Sequence, residues 1–318
     1  MPAPNLRVTI AGIEMKNPLT VGSGTYGHHG NFSQFFPVET MGVLVPKTVR
    51  NYKWPGNPGP RVLETTAGLH SSVGIPCNTW EHFVAHDVPI LKTLKLPIIQ
   101  SVIGRTEDEY VEIVERCDSL NVFAGIELNL SCPNLKQGGL DFGYDPDSAY
   151  KLVRHVRSKT RLPVIAKLAP DYTSLLKVAK SVEAAGADAI SMINAPRAMC
   201  IDHVTRKPMI GNKIGALSGA AIKPLAVYMV WEVYRAVQIP IFGMGGVTDF
   251  RDVIEFMAAG ARAVGFGTIN YVDPMALPRA LGELTRFLEE NGIADVNELV
   301  GSAHEDRPAL VVPERVVA

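Results

Sequence analysis

Two lysines and one cysteine carry most of the chemistry open to this sequence. Lys47 ends the apolar run Val43-Leu-Val-Pro-Lys-Thr48, and Lys167 lies in Val164-Ile-Ala-Lys-Leu168. A single lysine in such a run can snorkel to water. Two of them at the ends of strand-like runs facing one cavity suit an anionic ligand, or a cofactor whose reduced form is negative. Cys132 lies in Glu127-Leu-Asn-Leu-Ser-Cys-Pro-Asn134 and is followed by Leu-Lys-Gln-Gly-Gly. A lone cysteine is most often a small buried hydrophobe. In a polar loop at a catalytic rim it can act as nucleophile or as general base, the latter worth ~10²–10⁴ in rate. Spacing alone does not choose between these roles. The loop runs on to about Asp145 and has the length and polarity of a lid.

Glycines give a second signal. Gly243-Met-Gly-Gly-Val-Thr248 precedes a helical pattern, and Gly265-Phe-Gly-Thr268 closes a strand-like run. Bare backbone N–H groups in such loops suit a phosphate; tight turns needing positive φ are the plainer reading. Gly22-Ser-Gly-Thr-Tyr-Gly27 is a literal G-x-G-x-x-G, but His28-His-Gly-Asn31 follows where a dinucleotide fingerprint would open a helix. That reading is rejected. His82 and His86 share a helix face without an evident third ligand, so a solvated face is expected and no metal site.

These residues need elements to position them. Eight apolar runs start at Leu19, Val43, Pro97, Ile126, Val164, Ala189, Ile241 and Ala263, alternating with amphipathic stretches. Near-continuous apolar strands between helices indicate a parallel sheet covered by helices. Eight of them predict an α/β fold, a (β/α)8 TIM barrel, with polar and glycine residues at the catalytic strand ends. Helices are predicted over 145–159, 172–185 and 249–259, the last two ending at Gly186 and Gly260 as C′ residues. Leu6–Ile10 and Ile13–Met15 around Ala11-Gly12 predict an N-terminal β-hairpin plugging the barrel bottom. Residues 1–303 are expected as a single barrel domain and 304–318 as a C-terminal tail.

The chain has 318 residues, 47% hydrophobic and 20% charged, with net charge −1. It shows no dense basic stripe and no long apolar run, so neither nucleic acid nor membrane is an expected partner. Cys77, Cys117, Cys132 and Cys200 form no Cys-x-x-Cys pair. A reducing, cytoplasmic setting is expected, with no iron–sulfur or zinc site in the chain.

The sequence resembles a known family. Asn129-Leu-Ser-Cys-Pro-Asn134, Lys47-Thr48, Gly56-Asn-Pro-Gly-Pro-Arg61, Gly215-Ala-Leu-Ser-Gly219, Gly243-Met-Gly-Gly246 and Gly267-Thr268 are similar to class 1 dihydroorotate dehydrogenases. The resemblance spans roughly residues 5 to 300 in consistent order, and Lys-Gln-Gly-Gly with Leu-Ser-Gly points to the NAD-linked 1B subclass. It implies FMN in the barrel mouth, with its phosphate on Gly245, Gly246, Gly267 and Thr268. Lys167 would lie at the electron-rich end of the ring, with Ser23, Thr48 and Asn129 holding it. Gly24, Lys47, Ser101, Ile193 and Gly219 would complete the cofactor site. Cys132 becomes the base that takes the C5 proton of dihydroorotate while a hydride leaves C6. Lys47, Asn129, Asn134 and Asn194 would bind substrate, together with Ser71, Val73, Gly74, Ile75 and Ala195. Partners implied are the small-molecule substrate, a separate FAD and iron–sulfur subunit, and a second copy in a homodimer core.

Three positions depart from the family pattern. Asn-x-x-Gly-Leu becomes Ser71-Ser-Val-Gly-Ile75, Ala-Asn after the third strand becomes Gln100-Ser101, and Asn-Thr or Asn-Ser becomes Asn194-Ala195. A site built to pair substrate groups discriminates by ~10⁴, so lost partners leave another dihydropyrimidine or cyclic amide as an alternative substrate. A phosphate-ligand barrel without redox chemistry is the second alternative. Replacing Cys132→Ser is expected to leave FMN bound and slow flavin reduction near neutral pH by roughly 10²-fold or more, because serine is a far weaker acid. Anaerobic stopped-flow reduction measures this, and equal rates in variant and parent would remove Cys132 as the base.

Overall fold

The computed structural model describes residues 3–28, 33–130 and 142–304, so Cys132 and Asn134 lie outside the described residues. In chain order the strands are β1 (Val8–Ile10), β2 (Ile13–Met15), β3 (Leu19–Val21), β4 (Val62–Thr65), β5 (Gly68–Ser71), β6 (Ile99–Val102) and β7 (Gly125–Asn129). They continue with β8 (Val164–Lys167), β9 (Ala189–Met192), β10 (Arg197–Ala198), β11 (Gly215–Ser218), β12 (Ile241–Met244) and β13 (Ala261–Phe266). A seven-stranded parallel sheet runs β3-β13-β12-β9-β8-β7-β6. Most of its residues are buried, as expected of strands covered on both faces.

The gap between β3 and β6 is closed by residues 42–49, which contain the predicted second strand at 43–48. Gly42 N–H donates to Leu19 O at 2.9 Å on one side. On the other, Leu44 N–H donates to Pro97 O at 3.0 Å and Ile99 N–H to Leu44 O at 2.9 Å. Val49 N–H reaches Ser101 O at 3.0 Å, and the Thr20 hydroxyl donates to Val43 O at 2.9 Å. Pro46 has no N–H to give, so this stave is held by bridges at Leu44↔Ile98 and Val49↔Val102 rather than by a continuous ladder. The barrel is closed, as the TIM-barrel reading expects.

Helices Glu107–Ser119, Pro146–Arg157, Leu175–Ala184, Lys223–Tyr234, Phe250–Ala258 and Ala276–Glu290 bury apolar faces against the sheet. Their ends follow local chemistry. Asp145 accepts the N–H of Ser148 ahead of Pro146, and Asp249 with Asp252 forms a capping box. Gly186, at φ 95°, lets Ala187 N–H return to Val182 O at 3.0 Å and its own N–H to Glu183 O at 2.9 Å, a Schellman closure. The helix predicted from 172 starts at Leu175, because the Asp171 carboxylate accepts the N–H groups of Thr173 and Ser174 and turns the chain first.

The hairpin β1–β2 pairs Val8↔Met15 through Ile10↔Ile13 and buries alternate residues. Ile13 lies beside Gly125, the first residue of β7, so the hairpin caps the end of the barrel opposite the strand C-termini. A second sheet was absent from the sequence reading: β10-β11-β5-β4, antiparallel. His304, where the tail was expected to begin, stacks on Trp231 at 3.7 Å between centroids; residues 305–318 lie outside the described residues. No helix among the described residues is long and apolar enough to cross a membrane.

Barrel closure rests on a close approach at Gly42, where an added Cβ would fall 1.9 Å from Asn17 O. Gly42→Ala is expected to destabilise the protein by about 1–3 kcal/mol through overpacking against backbone. A lowered urea midpoint with unchanged slope checks this; an unchanged midpoint would show that the stave yields.

Candidate active site

A cavity of about 1060 Å³ opens at the C-terminal ends of the barrel strands. Its floor is made by strand ends: Ser23 and Gly24 after β3, Lys47 and Thr48 on the 42–49 stave, Asn129 on β7 and Lys167 on β8. Ile193, Asn194 and Ala195 follow β9, Gly245 and Gly246 follow β12, and Gly267 and Thr268 follow β13. Its roof is the antiparallel sheet. Val62, Ser71, Ala216 and Arg197 are paired in one row across four strands, and all four line the cavity.

Each polar group is held from behind. Lys47 N–H donates to Gly27 O at 2.9 Å, while the buried Gln100 amide donates to Lys47 O at 3.0 Å and Ser101 O at 2.8 Å. Burial pushes the Lys47 ammonium below the usual lysine range, with Cys77 and Asp87 opposing that shift electrostatically. Tyr110 OH donates to Asn129 O at 2.6 Å, and the Asn194 amide approaches Asn129 Oδ1 at 3.5 Å. Lys167, with its side chain 6% exposed, donates to Ser23 Oγ at 3.2 Å and lies 3.8 Å from Glu127 Oε1. The Thr268 hydroxyl pairs with Ser218 Oγ at 2.8 Å, tying floor to roof.

The structure therefore brings together Ser23, Gly24, Lys47, Thr48, Asn129, Lys167, Ile193, Gly219, Gly245, Gly246, Gly267 and Thr268 with Ser71, Val73, Gly74, Ile75, Asn194 and Ala195. Ser101 is the exception. It is fully buried behind the wall, where its hydroxyl shares a 2.9 Å hydrogen bond with Thr48 Oγ1. Cys132 and Asn134 are outside the described residues, although Cys132 follows the end of β7 by three positions. Sequence reasoning missed Asn57, Asn212, Arg197 and Tyr271 in the wall. Asn57 and Asn212 both donate to Ser72 Oγ, at 2.7 and 3.0 Å, fixing the substrate-loop turn. Tyr271 OH donates to Gly24 O at 3.1 Å. The G-x-G-x-x-G of residues 22–27 forms turns, with Gly22 N–H on Phe266 O at 2.9 Å. The His82 and His86 rings lie 4.3 Å apart, tilted by 40°, on a short helical stretch.

Comparison with known proteins decides the family. The chain matches the profile of the dihydroorotate dehydrogenase family over residues 5–288. It is 44% identical over 302 residues to the dihydroorotate dehydrogenase B (NAD(+)) catalytic subunit of Geobacter sulfurreducens, covering 95% of this chain and 99% of that one. The protein of the same description from Desulforudis audaxviator is 46% identical over 297 residues, 93% of this chain and 97% of its own length. This chain belongs to the dihydroorotate dehydrogenase family. Members of this flavin-dependent family are oxidoreductases acting on a CH–CH bond, and a lysine-bearing barrel mouth suits that chemistry.

The glycine loops give the site its most direct test. A Cβ built on Gly267 meets nothing within 4 Å, so it would project into open cavity. Gly267→Ala is expected to leave thermal stability unchanged and weaken a phosphate-bearing cofactor roughly tenfold, about 1.4 kcal/mol. Calorimetry with cofactor titrated into stripped protein measures both; unaltered affinity would place the phosphate elsewhere.

Proposed function

We propose that this chain oxidises dihydroorotate to orotate with bound FMN in the cytosol, as the catalytic subunit of an assembly that passes electrons onward to NAD. One observation carries the reading: Lys47, Lys167, Asn129 and Asn194 meet in a single cavity flanked by the glycine loops at 245–246 and 267–268. The residues fit FMN. Gly24 and Gly267 leave room where a side chain would intrude, and the Lys167 ammonium in the cavity lining would stabilise the negative charge that a flavin bound there gains on reduction.

Bound there, FMN supplies a two-electron hydride acceptor. The other roles fall to the chain. Gly245, Gly246, Gly267 and Thr268 receive the phosphate; Ser23, Gly24, Thr48, Ile193 and Gly219 hold the ring, with Ser101 bracing Thr48 from behind. Lys47, Asn129, Asn134 and Asn194 would orient the substrate, with Ser71, Val73, Gly74, Ile75 and Ala195 completing its pocket. Cys132, as thiolate, takes the proton from C5 while the C6 hydrogen leaves with its electron pair, and the C5=C6 double bond of orotate forms. The wall of Lys47 and Lys167 favours an anionic substrate over a neutral dihydropyrimidine. A separate FAD and iron–sulfur subunit and a homodimeric core complete the proposed assembly. The curated relatives are described as NAD-linked catalytic subunits, which supports that division of labour.

Anaerobic titration of the yellow holoprotein tests the reading. Dihydroorotate is expected to bleach the flavin absorption stoichiometrically, and orotate to bind the oxidised protein more tightly than uracil or dihydrouracil. No bleaching at millimolar dihydroorotate, with bleaching by a neutral dihydropyrimidine, would transfer the activity to that substrate.

A further inference from the structure

The catalytic scheme leaves one buried acid without a task. Glu127 lies two residues before Asn129 on β7, inside the barrel, with its side chain 2% exposed. Its Oε2 accepts the hydroxyl of Ser191 on β9 at 2.8 Å. Its Oε1 has no hydrogen bond and lies 3.8 Å from Lys167 Nζ on the intervening β8. Burying a carboxylate in a barrel interior is costly, and a buried ion pair is weak support for stability. Apolar side chains would fill that layer of the barrel at lower cost.

We infer that Glu127 is a positioning residue, holding the Lys167 ammonium at the cavity floor and moderating its charge toward the reduced flavin. Register explains how. Lys167 is the cross-strand partner of Asn129 on one side and of Ser191 on the other, so β7, β8 and β9 bring carboxylate, ammonium and hydroxyl together. Ser191 occupies one carboxylate oxygen and leaves the other turned to Lys167. At 3.8 Å the contact is an ion pair without a hydrogen bond, so the Nζ protons remain for Ser23 and the cavity. In a low-dielectric interior the negative charge offsets part of the lysine field felt by anything bound above it. Glu127 would thereby keep Lys167 from over-stabilising the reduced state of a flavin bound above it.

This rests on the FMN reading of the site. The test is the two-electron midpoint potential of the FMN holoprotein, measured by anaerobic dithionite titration with a reference dye. Glu127→Gln keeps the shape and removes the charge. It is expected to favour the reduced flavin about tenfold, equivalent to about 30 mV. Glu127→Asp, which retains the charge at greater distance, is expected to shift the potential less. With Lys167→Met present, adding Glu127→Gln is expected to change nothing further.

An unchanged potential in Glu127→Gln, or the same shift with Lys167→Met present, overturns the inference. Should Glu127→Gln fail to fold, an unchanged potential in Glu127→Asp overturns it equally. A parent protein that purifies colourless and takes up no FMN overturns the cofactor reading along with it. A yellow parent with an unshifted variant overturns only the role of Glu127.

Discussion

Two positive charges must face the same cavity and remain in place, and much of the architecture around the mouth answers that requirement. Lys167 is nearly buried yet lies against Glu127 and Ser23, so its charge is partnered from within the barrel. Lys47 is treated differently. Its backbone is pinned by Gly27 and Gln100, and burial lowers its proton affinity against the electrostatic pull of Cys77 and Asp87. The first lysine is held through its side chain, the second through its main chain. Parallel pairing makes the arrangement possible, because β7, β8 and β9 present Asn129, Lys167 and Ser191 at matched register.

The barrel's irregular stave belongs to the same logic. Residues 42–49 carry Lys47 and Thr48 near their end, and Pro46 interrupts their ladder immediately before the lysine. The Gln100 side chain then replaces ladder hydrogen bonds by meeting the Lys47 carbonyl. Gln100 and Ser101, met in the sequence as departures from a family pattern, thus brace the wall. Ser101 holds Thr48, and Gln100 holds the backbone of Lys47.

The barrel was legible because its strands are buried on both faces and read as apolar runs ending in polar residues. All eight predicted staves are present, and the helix ends at Gly186 and Gly260 follow from positive φ at each. The antiparallel sheet was not legible. Val62–Thr65 is half-exposed, Gly68–Ser71 contains glycine and histidine, and Arg197–Ala198 has two residues. Such short mixed strands gain definition only from partners far along the chain, as when Ser71 meets both Val62 and Ala216. Asn57, Asn212 and Arg197 were missed for the same reason: each is an ordinary loop or edge polar residue until that sheet folds over the mouth.

Floor and roof are therefore different kinds of structure, and this bears on how the site divides its work. The floor is made of barrel strand ends whose positions are fixed by closure, and it carries both lysines and the glycine loops. The roof is a small sheet joined to the floor through contacts such as Thr268 with Ser218. Ser71 belongs to the roof, whereas Ala195 and Ser101 belong to the barrel wall. The departures at Ser71 and Ala195 both line the cavity, as do Asn129 and Asn194, and Pro196 beside Ala195 accepts the Leu217 N–H of the roof at 2.9 Å. A change of residue in the roof alters the space above those asparagines without disturbing the pairing that fixes Lys167. Substrate fit can vary there while the charged floor remains intact, because the two are built from separately hydrogen-bonded sheets.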